Sequence, residues 1–275
     1  MFDVRNGKIG IIGCGNMGEA LLTGLLNKNV FKNENITISE KQEERSKYLK
    51  QKYPQTILTK DNQSLVKNSS VIILAVKPQD MESLLKEIPA FLNDSHLIIS
   101  IAAGIKISFI ERIIQKSIPI IRAMPNLPAL IGRGISAYST SGKNKTIEKI
   151  LDDTAEKILG SLGKVIKLEE DKMDTVTALS GSGPAYVFYM LEAMIDAGVK
   201  LGITEAQAKE LSVQTIIGAA KMIEKGEDPA TLRKKVTSPK GTTEAALKVL
   251  IDNKWKEILT QAIENAKARS EELSK

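Results

Sequence analysis

The chain has 275 residues, 42% of them hydrophobic and 26% charged, which is enough apolar material for one large domain or two smaller ones and excludes global disorder. A formal net charge of +6 invites a nucleic-acid reading, but five Tyr, five Phe and one Trp build no basic patch interleaved with aromatics, so the charge reads as a solvated surface. One cysteine cannot close an internal disulfide, and one histidine, His96, excludes His-rich metal sites and argues against a Ser-His-Asp triad, so a cofactor must carry the chemistry.

Ile9 to Ile12 is an apolar run of buried-strand length. Gly13, Gly15 and Gly18 follow in the spacing G-x-G-x-x-G, and Glu19 to Asn27 carries an apolar face at helical period. A strand, a glycine turn and a helix start in that order point to a dinucleotide site. The first glycine permits the bend, the second admits the pyrophosphate, and the third lets helix pack on strand. The open amides at the positive end of the helix then face the phosphates. Cys14, inside the turn, is expected to pack as a small residue rather than to react.

Ile36 to Ser39 reads as a second strand with Glu40 at its end, 22 positions beyond Gly18 (40 − 18), where NAD-binding folds place the acid that holds the ribose hydroxyls. Lys41 beside it would suit a 2′-phosphate, so NAD and NADP both stay open. A polar helix over 42–52 ends before Pro54. Val71 to Val76 is the clearest buried strand and runs into Lys77-Pro78; ligands of open α/β sheets bind at such carboxyl ends, which makes Lys77 cofactor-facing. A helix over 81–92 leads to a strand over 97–101, with His96 in a structural role at a sheet edge. Ala102, Ala103 and Gly104 then leave room for a flat ring. A helix from Ser108, strands over 118–122 and 134–139, a helix over 146–162 and an edge strand over 164–167 complete the alternation.

Beyond Leu168 the strand signal stops. The pattern predicts an α/β protein: an N-terminal Rossmann-like doubly wound parallel sheet over 1–168 and a C-terminal all-helical domain over 169–275. Ser180-Gly181-Ser182-Gly183 is expected to break the first helix of the second half, with Pro184 starting the next. That next helix, 185–201, is apolar on most sides apart from Glu192, Asp196 and Lys200, and must be covered on most sides. Dimerisation through the helical half is therefore expected. No apolar run approaches membrane-spanning length and no charged-then-apolar leader is evident, so a soluble, cytoplasmic protein with neither membrane nor nucleic-acid partners is expected.

Thr237-Ser238-Pro239-Lys240-Gly241-Thr242-Thr243-Glu244 is a loop crowded with hydroxyls that opens a helix. Amides from Gly241 to Thr243, helped by the helix dipole, would make a carboxylate site without arginine. A Thr242 or Thr243 helix cap accounts for the same residues, and the residues alone leave both readings open.

The strings IGIIGCGNMGEALLTGL, ILAVKPQ, SIAAGI, IRAMPNLPALIGRG, ALSGSGPAYVFYMLEAM and VTSPKGTTEAAL run in order along essentially the whole chain. Together they resemble the pyrroline-5-carboxylate reductases, and the strings at 180–186 and 237–243 are specific to that family among Rossmann proteins. The resemblance implies NAD(P)H-dependent reduction of 1-pyrroline-5-carboxylate to L-proline, the last step of proline biosynthesis. It assigns the pyrophosphate to Gly13, Cys14, Gly15, Asn16, Met17 and Gly18, and the adenosine end to Glu40 and Asn62. The nicotinamide side falls to Ala75, Val76, Lys77 and Pro78 together with Ala102, Ala103 and Gly104. The substrate falls to Ser238, Gly241, Thr242 and Thr243, with the Thr243 hydroxyl at the ring nitrogen as the catalytic group. No metal is implied. Family members form homodimers through the helical half and often decamers built from them.

Two departures stand out. The family usually reads Ser-Pro-Gly-Gly-Thr-Thr, whereas Lys240 replaces the first of those glycines, which costs about 1 kcal/mol if the backbone there needs positive φ. Glu40 stands where many relatives carry a neutral residue, and a carboxylate repels a 2′-phosphate, so NADH should serve at least as well as NADPH. The rival enzymes are other Rossmann imine reductases or β-hydroxyacid dehydrogenases, which as a class need a lysine base that only Lys200 offers in 185–202. A non-catalytic dinucleotide sensor is the rival outside enzymology, and it has no need of Ser238 and the two threonines.

Overall fold

A computed structural model describes residues 7–142 and 144–273, so the outer limits of both expected domains, 1 and 275, lie outside the described residues. The elements are β1 (Ile9–Ile12), α1 (Asn16–Asn27), β2 (Ile36–Ser39), α2 (Glu43–Lys52), β3 (Ile57–Thr59), α3 (Asn62–Lys67), β4 (Val71–Leu74) and α4 (Pro78–Glu87). There follow β5 (Leu97–Ser100), α5 (Ile107–Ile114), β6 (Ile120–Met124), β7 (Gly134–Thr140), α6 (Lys145–Leu159) and β8 (Gly163–Lys167). The rest is helical: α7 (Met173–Val176), α8 (Gly183–Lys200), α9 (Glu205–Glu224), α10 (Pro229–Lys235), α11 (Thr242–Asp252) and α12 (Trp255–Leu273).

The strands form one sheet in the order β3-β2-β1-β4-β5-β6-β7-β8. Every pairing is parallel except β6 with β7, where Arg122 stands opposite Ser139 in antiparallel register. The sheet is thus the expected doubly wound parallel one with a single reversal: only a short 3-10 turn, Leu127–Ile131, lies between β6 and β7, too short for a parallel crossover, so the chain turns back. The short pair β3 and α3 is also absent from the sequence reading, because Ile57-Leu58-Thr59 is too brief to show a period.

Each central strand is buried at all its positions, yet its residues divide between two apolar layers. Ile9, Ile11, Val71, Ile73, Leu97 and Ile99 pack with Leu21, Leu22 and Leu25 of α1 and with Leu151 and Ile158 of α6. Ile12, Ile72, Leu74, Ile98 and Ile120 pack on the opposite side with Leu85 of α4 and Ile110 of α5. Period-two alternation into two helix layers is why these strands read as unbroken apolar runs. His96 is 3% exposed, its Nδ1 accepting the Asn93 amide at 3.0 Å and its Nε2 3.1 Å from the Val66 carbonyl. Its role is structural, but at the start of the interior strand β5 rather than at an edge.

Two compact units are present, 7–182 with 266–273, and Gly183–Asn265. The boundary therefore falls after Ser182, whereas Leu168 marks only the end of the sheet. Within the first unit, buried Arg122 of β6 lies 3.2 Å from Glu170 and 3.8 Å from Asp174, and Ser270 of α12 bonds Asp174 at 2.7 Å. These contacts tie the last turns of α12 to the sheet. The Ser-Gly-Ser-Gly string does not leave a loop as expected: 177–181 form a π-helical turn that continues α7 towards α8, with Ser182 donating its amide to Thr177 O at 2.8 Å.

In the second unit α8 packs on α9 where Gly198 meets Ala208; a Cβ at 198 would stand 2.8 Å from that of Ala208. Within 183–265 only Ala208 and Ser212 are buried, while Tyr189, Leu211, Val249 and Ile251 are all at least 60% exposed.

Candidate functional site

The strand order reverses direction at β1, with β2 on one side and β4 on the other, and loops at the carboxyl ends of these three strands open a crevice there. A cleft of about 540 Å³ occupies it, lined by Ile12, Gly13, Gly15 and Asn16 after β1, Ser39 and Glu40 after β2, and Ala75, Val76 and Lys77 after β4. Gln42, Arg45, Asn62 and Asp80 close its sides.

The three glycines divide their work as the spacing suggests. Gly13 adopts φ +85°, and its amide donates to Ser39 O at 2.9 Å, which bends the chain out of β1. A Cβ at Gly18 would lie 2.4 Å from the Gly13 carbonyl oxygen, so helix and strand meet there only without a side chain. Around Gly15 nothing lies within 4 Å of an added Cβ, which leaves one bare face of the turn open to a ligand. Gly15 is the N-cap of α1 and caps nothing by side chain, so the amides of Asn16, Met17 and Gly18 form an open first turn. Open amides, a bare glycine and a crevice at the switch point fit a dinucleotide pyrophosphate.

Cys14 sits in the turn with its thiol fully buried and pushed up to about 12, because burial disfavours the thiolate. Its amide donates to Glu40 Oε2 at 3.0 Å and its carbonyl accepts from Arg45 Nε at 2.7 Å. The turn is thus held from outside by α2. Arg45 also reaches Gly15 O at 3.2 Å and Glu19 at 2.5 Å. Burial alone would raise the Glu19 carboxyl, but hydrogen bonds from Lys52, Arg45, Tyr53 and Tyr48 outweigh it and hold the group down to about 2.

Of the expected dinucleotide residues, Gly13, Gly15, Asn16, Glu40, Asn62, Ala75, Val76 and Lys77 come together on the cleft. Cys14, Met17, Gly18 and Pro78 shape its walls without lining it: Pro78 is the first residue of α4 and Gly18 lies against Gly13. Ala102, Ala103 and Gly104 follow β5, beside the β4 end, where Ile101 donates its amide to Leu74 O at 3.1 Å. Arg45 and Gln42 went unnoticed in the sequence, because nothing in a 26-residue separation links Arg45 to Glu19 until β2 pairs with β1.

In the second unit, Ser238 O accepts the Gly241 amide at 3.0 Å, closing a turn with Pro239 and Lys240 at its centre. Lys240 has φ +60°, the conformation that glycine adopts without cost, and its amide is held by Glu244 at 2.8 Å. Two sequence expectations change here. The Gly241 amide is used within the turn, so open amides begin at Thr242. Gly241 rather than a threonine is the N-cap, with no side-chain cap, so neither Thr242 nor Thr243 caps α11 and both stand in its first turn. No cluster suited to a metal ion occurs among the described residues.

Relatives bear on this arrangement directly. The chain is 40% identical to a pyrroline-5-carboxylate reductase of Synechocystis, with 98% of each chain covered. It is 36% identical to pyrroline-5-carboxylate reductase 1 of Bacillus subtilis, over 100% of this chain and 91% of that one. The chain belongs to the pyrroline-5-carboxylate reductase family. Residues 170–273 match the family model described as pyrroline-5-carboxylate reductase dimerisation, and residues 8–104 match NADP oxidoreductase, coenzyme F420-dependent. Among solved structures, the Coxiella burnetii pyrroline-5-carboxylate reductase superposes with TM-score 0.88 at 36% identity, covering 98% of this chain and 99% of that one. A Plasmodium falciparum pyrroline carboxylate reductase with NADP bound superposes with TM-score 0.87 at 33% identity, covering 99% and 100%. An imine reductase of Streptomyces aurantiacus, at 16% identity and TM-score 0.55, shares the fold alone.

Proposed function

We propose that this reductase converts 1-pyrroline-5-carboxylate to L-proline with NADH or NADPH, the closing step of proline biosynthesis. Identity of 36–40% to named reductases over essentially the whole chain carries this reading. When bound, the reduced nicotinamide supplies the hydride that turns the C=N bond of the substrate into a C–N bond.

The protein's part is binding, orientation and one hydrogen bond. The open amides of Asn16, Met17 and Gly18 hold the pyrophosphate beside bare Gly15, with Gly13 setting the bend and Cys14 filling the space beneath. Glu40 and Asn62 serve the adenosine end. Ala75, Val76, Lys77, Pro78, Ala102, Ala103 and Gly104, at the ends of β4 and β5, serve the nicotinamide side. In the second unit the amides of Thr242 and Thr243, with the Ser238 hydroxyl, bind the substrate carboxylate, and Gly241 allows the approach. The Thr243 hydroxyl forms a hydrogen bond at the imine nitrogen, where a proton, supplied by water, must reside for the carbon to accept hydride.

We further propose that the exposed apolar faces of α8, α9, α11 and α12 are covered in a homodimer, a reading supported by the dimerisation family match and by the lack of a core in 183–265. Decamers would be built from such dimers. Among the described residues no helix is long and apolar enough to cross a membrane, and we place the enzyme in the cytoplasm.

The test is the fall in absorbance of the reduced-nicotinamide band when the purified protein meets pyrroline-5-carboxylate with either cofactor. A substrate-dependent fall is expected. None with NADH or NADPH would overturn the assignment in favour of a dinucleotide sensor.

A further inference from the structure

We infer that the adenosine end of the cleft is built for an unphosphorylated ribose, and that Glu40 makes this reductase bind NAD(H) in preference to NADP(H). The inference rests on the proposed use of the cleft for the dinucleotide. Glu40 follows the last residue of β2, lines the cleft and is 9% exposed. Its two oxygens are fastened separately: Oε2 accepts the Cys14 amide at 3.0 Å and Oε1 accepts the Gln42 amide at 2.9 Å. Both donors are backbone, one in the glycine turn and one at the N-cap of α2, so the carboxylate cannot swing aside for a ligand.

A ribose with free hydroxyls has O–H donors for the remaining lone pairs of such a carboxylate. A 2′-phosphate brings only acceptors and added negative charge, and close anions repel strongly where water is partly excluded.

Two cations flank Glu40 in the cleft lining, Arg45 and Lys41. Arg45 spends Nε on Cys14 O and Nη2 on Gly15 O and Glu19, with its guanidinium 4.9 Å from the Tyr48 ring centre. Lys41 lies 3.8 Å from Glu87. Asn62 is 1% exposed and its amide is engaged on both sides: Oδ1 accepts from Ser39 Oγ at 2.5 Å, and Nδ2 donates to Glu87 at 3.1 Å. Its amide is thus braced between Ser39 and Glu87. The site thus holds a fixed acceptor for a diol, while Lys41, the neighbouring cation that could meet a phosphate, is a mostly exposed side chain held only loosely at 3.8 Å from Glu87.

Titration calorimetry with the oxidised cofactors on the full chain tests this without turnover. The wild type should bind NAD⁺ at least about tenfold more tightly than NADP⁺, a ratio that corresponds to one fixed, partly screened like-charge contact. Glu40→Gln, which keeps the shape but not the charge, should bring the two affinities within about threefold, chiefly by tightening NADP⁺. Glu40→Ser stands in should the glutamine variant not fold. NADP⁺ binding as tightly as NAD⁺ to the wild type overturns the inference, and so does a ratio unmoved by removing the charge. Failure to bind either cofactor would refute the use of the cleft itself, a separate outcome from a wrong preference.

Discussion

The sheet unit and the helices of 183–265 solve the burial problem in opposite ways. In the sheet unit each strand divides its side chains between two helix layers, so Ile9, Ile73 and Ile99 are completely buried by the chain's own elements. In the helical unit only Ala208 and Ser212 are buried, and Tyr189 is 76% exposed. A sheet offers two broad faces that short helices can cover, whereas a few helices with apolar residues on most sides have too little surface to cover one another. The first unit is covered by its own elements, and the second leaves apolar faces for which we propose a second copy as the cover. The cleft proposed for the dinucleotide lies in the first unit, and the hydroxyl loop opens a helix in the second.

Several substitutions would break or sharpen that contrast. The largest effect is expected from Ile73→Ala, a cavity in the sheet core, with a loss of about 2–5 kcal/mol. Its chemical-denaturation midpoint should fall by the same amount at any protein concentration. Leu211→Glu, at a position 62% exposed in one protomer, should leave the protomer folded but weaken self-association by about 100-fold or more. Sedimentation equilibrium reads this directly; a dimer as tight as wild type would place the interface elsewhere. Thr243→Ala should lower kcat/KM by about 10- to 100-fold, or about 1.4–2.7 kcal/mol, with the unfolding midpoint unchanged. Activity within twofold of wild type would remove that hydroxyl from the mechanism.

Acid should act on the sheet unit through Glu19. Its carboxyl is held near 2 in the folded chain, below the ordinary 4.5, so the stabilisation is complete above about pH 4.5 and is lost as pH falls towards 2. Allowing for its partial solvation the effect is about 1 kcal/mol, and Glu19→Gln should flatten the acid limb of a stability profile by that amount. The smallest effect is expected at Lys240, where φ is +60°: Lys240→Gly should stabilise the helical unit by at most about 1 kcal/mol, since relief of strain is partly offset by a more flexible unfolded chain.

How much was legible in the sequence differs between the two units. The glycine spacing after an apolar run located the bend, the packing contact and the open turn, because each depends on residues within one turn of the chain. Glu40 was legible from its place at the end of β2, 22 positions (40 − 18) beyond Gly18, a spacing that the fold itself sets. Arg45 was not, since its partners Cys14, Gly15 and Glu19 lie on a different strand–helix unit. The hydroxyl-rich loop was half legible: its hydroxyls and its start of α11 were foreseen, but not that the Gly241 amide is spent on Ser238 or that Gly241 is the N-cap.

By itself the sequence determined the alternation of strands and helices, the glycine turn and the family, because period, spacing and short motifs are local properties of the chain. Only the tertiary structure decided which strand runs backwards, that 177–181 continue a helix, and that two backbone amides fasten the Glu40 carboxylate. Those depend on which distant segments become neighbours, and pairing across a sheet leaves no periodic mark in the residues that make it.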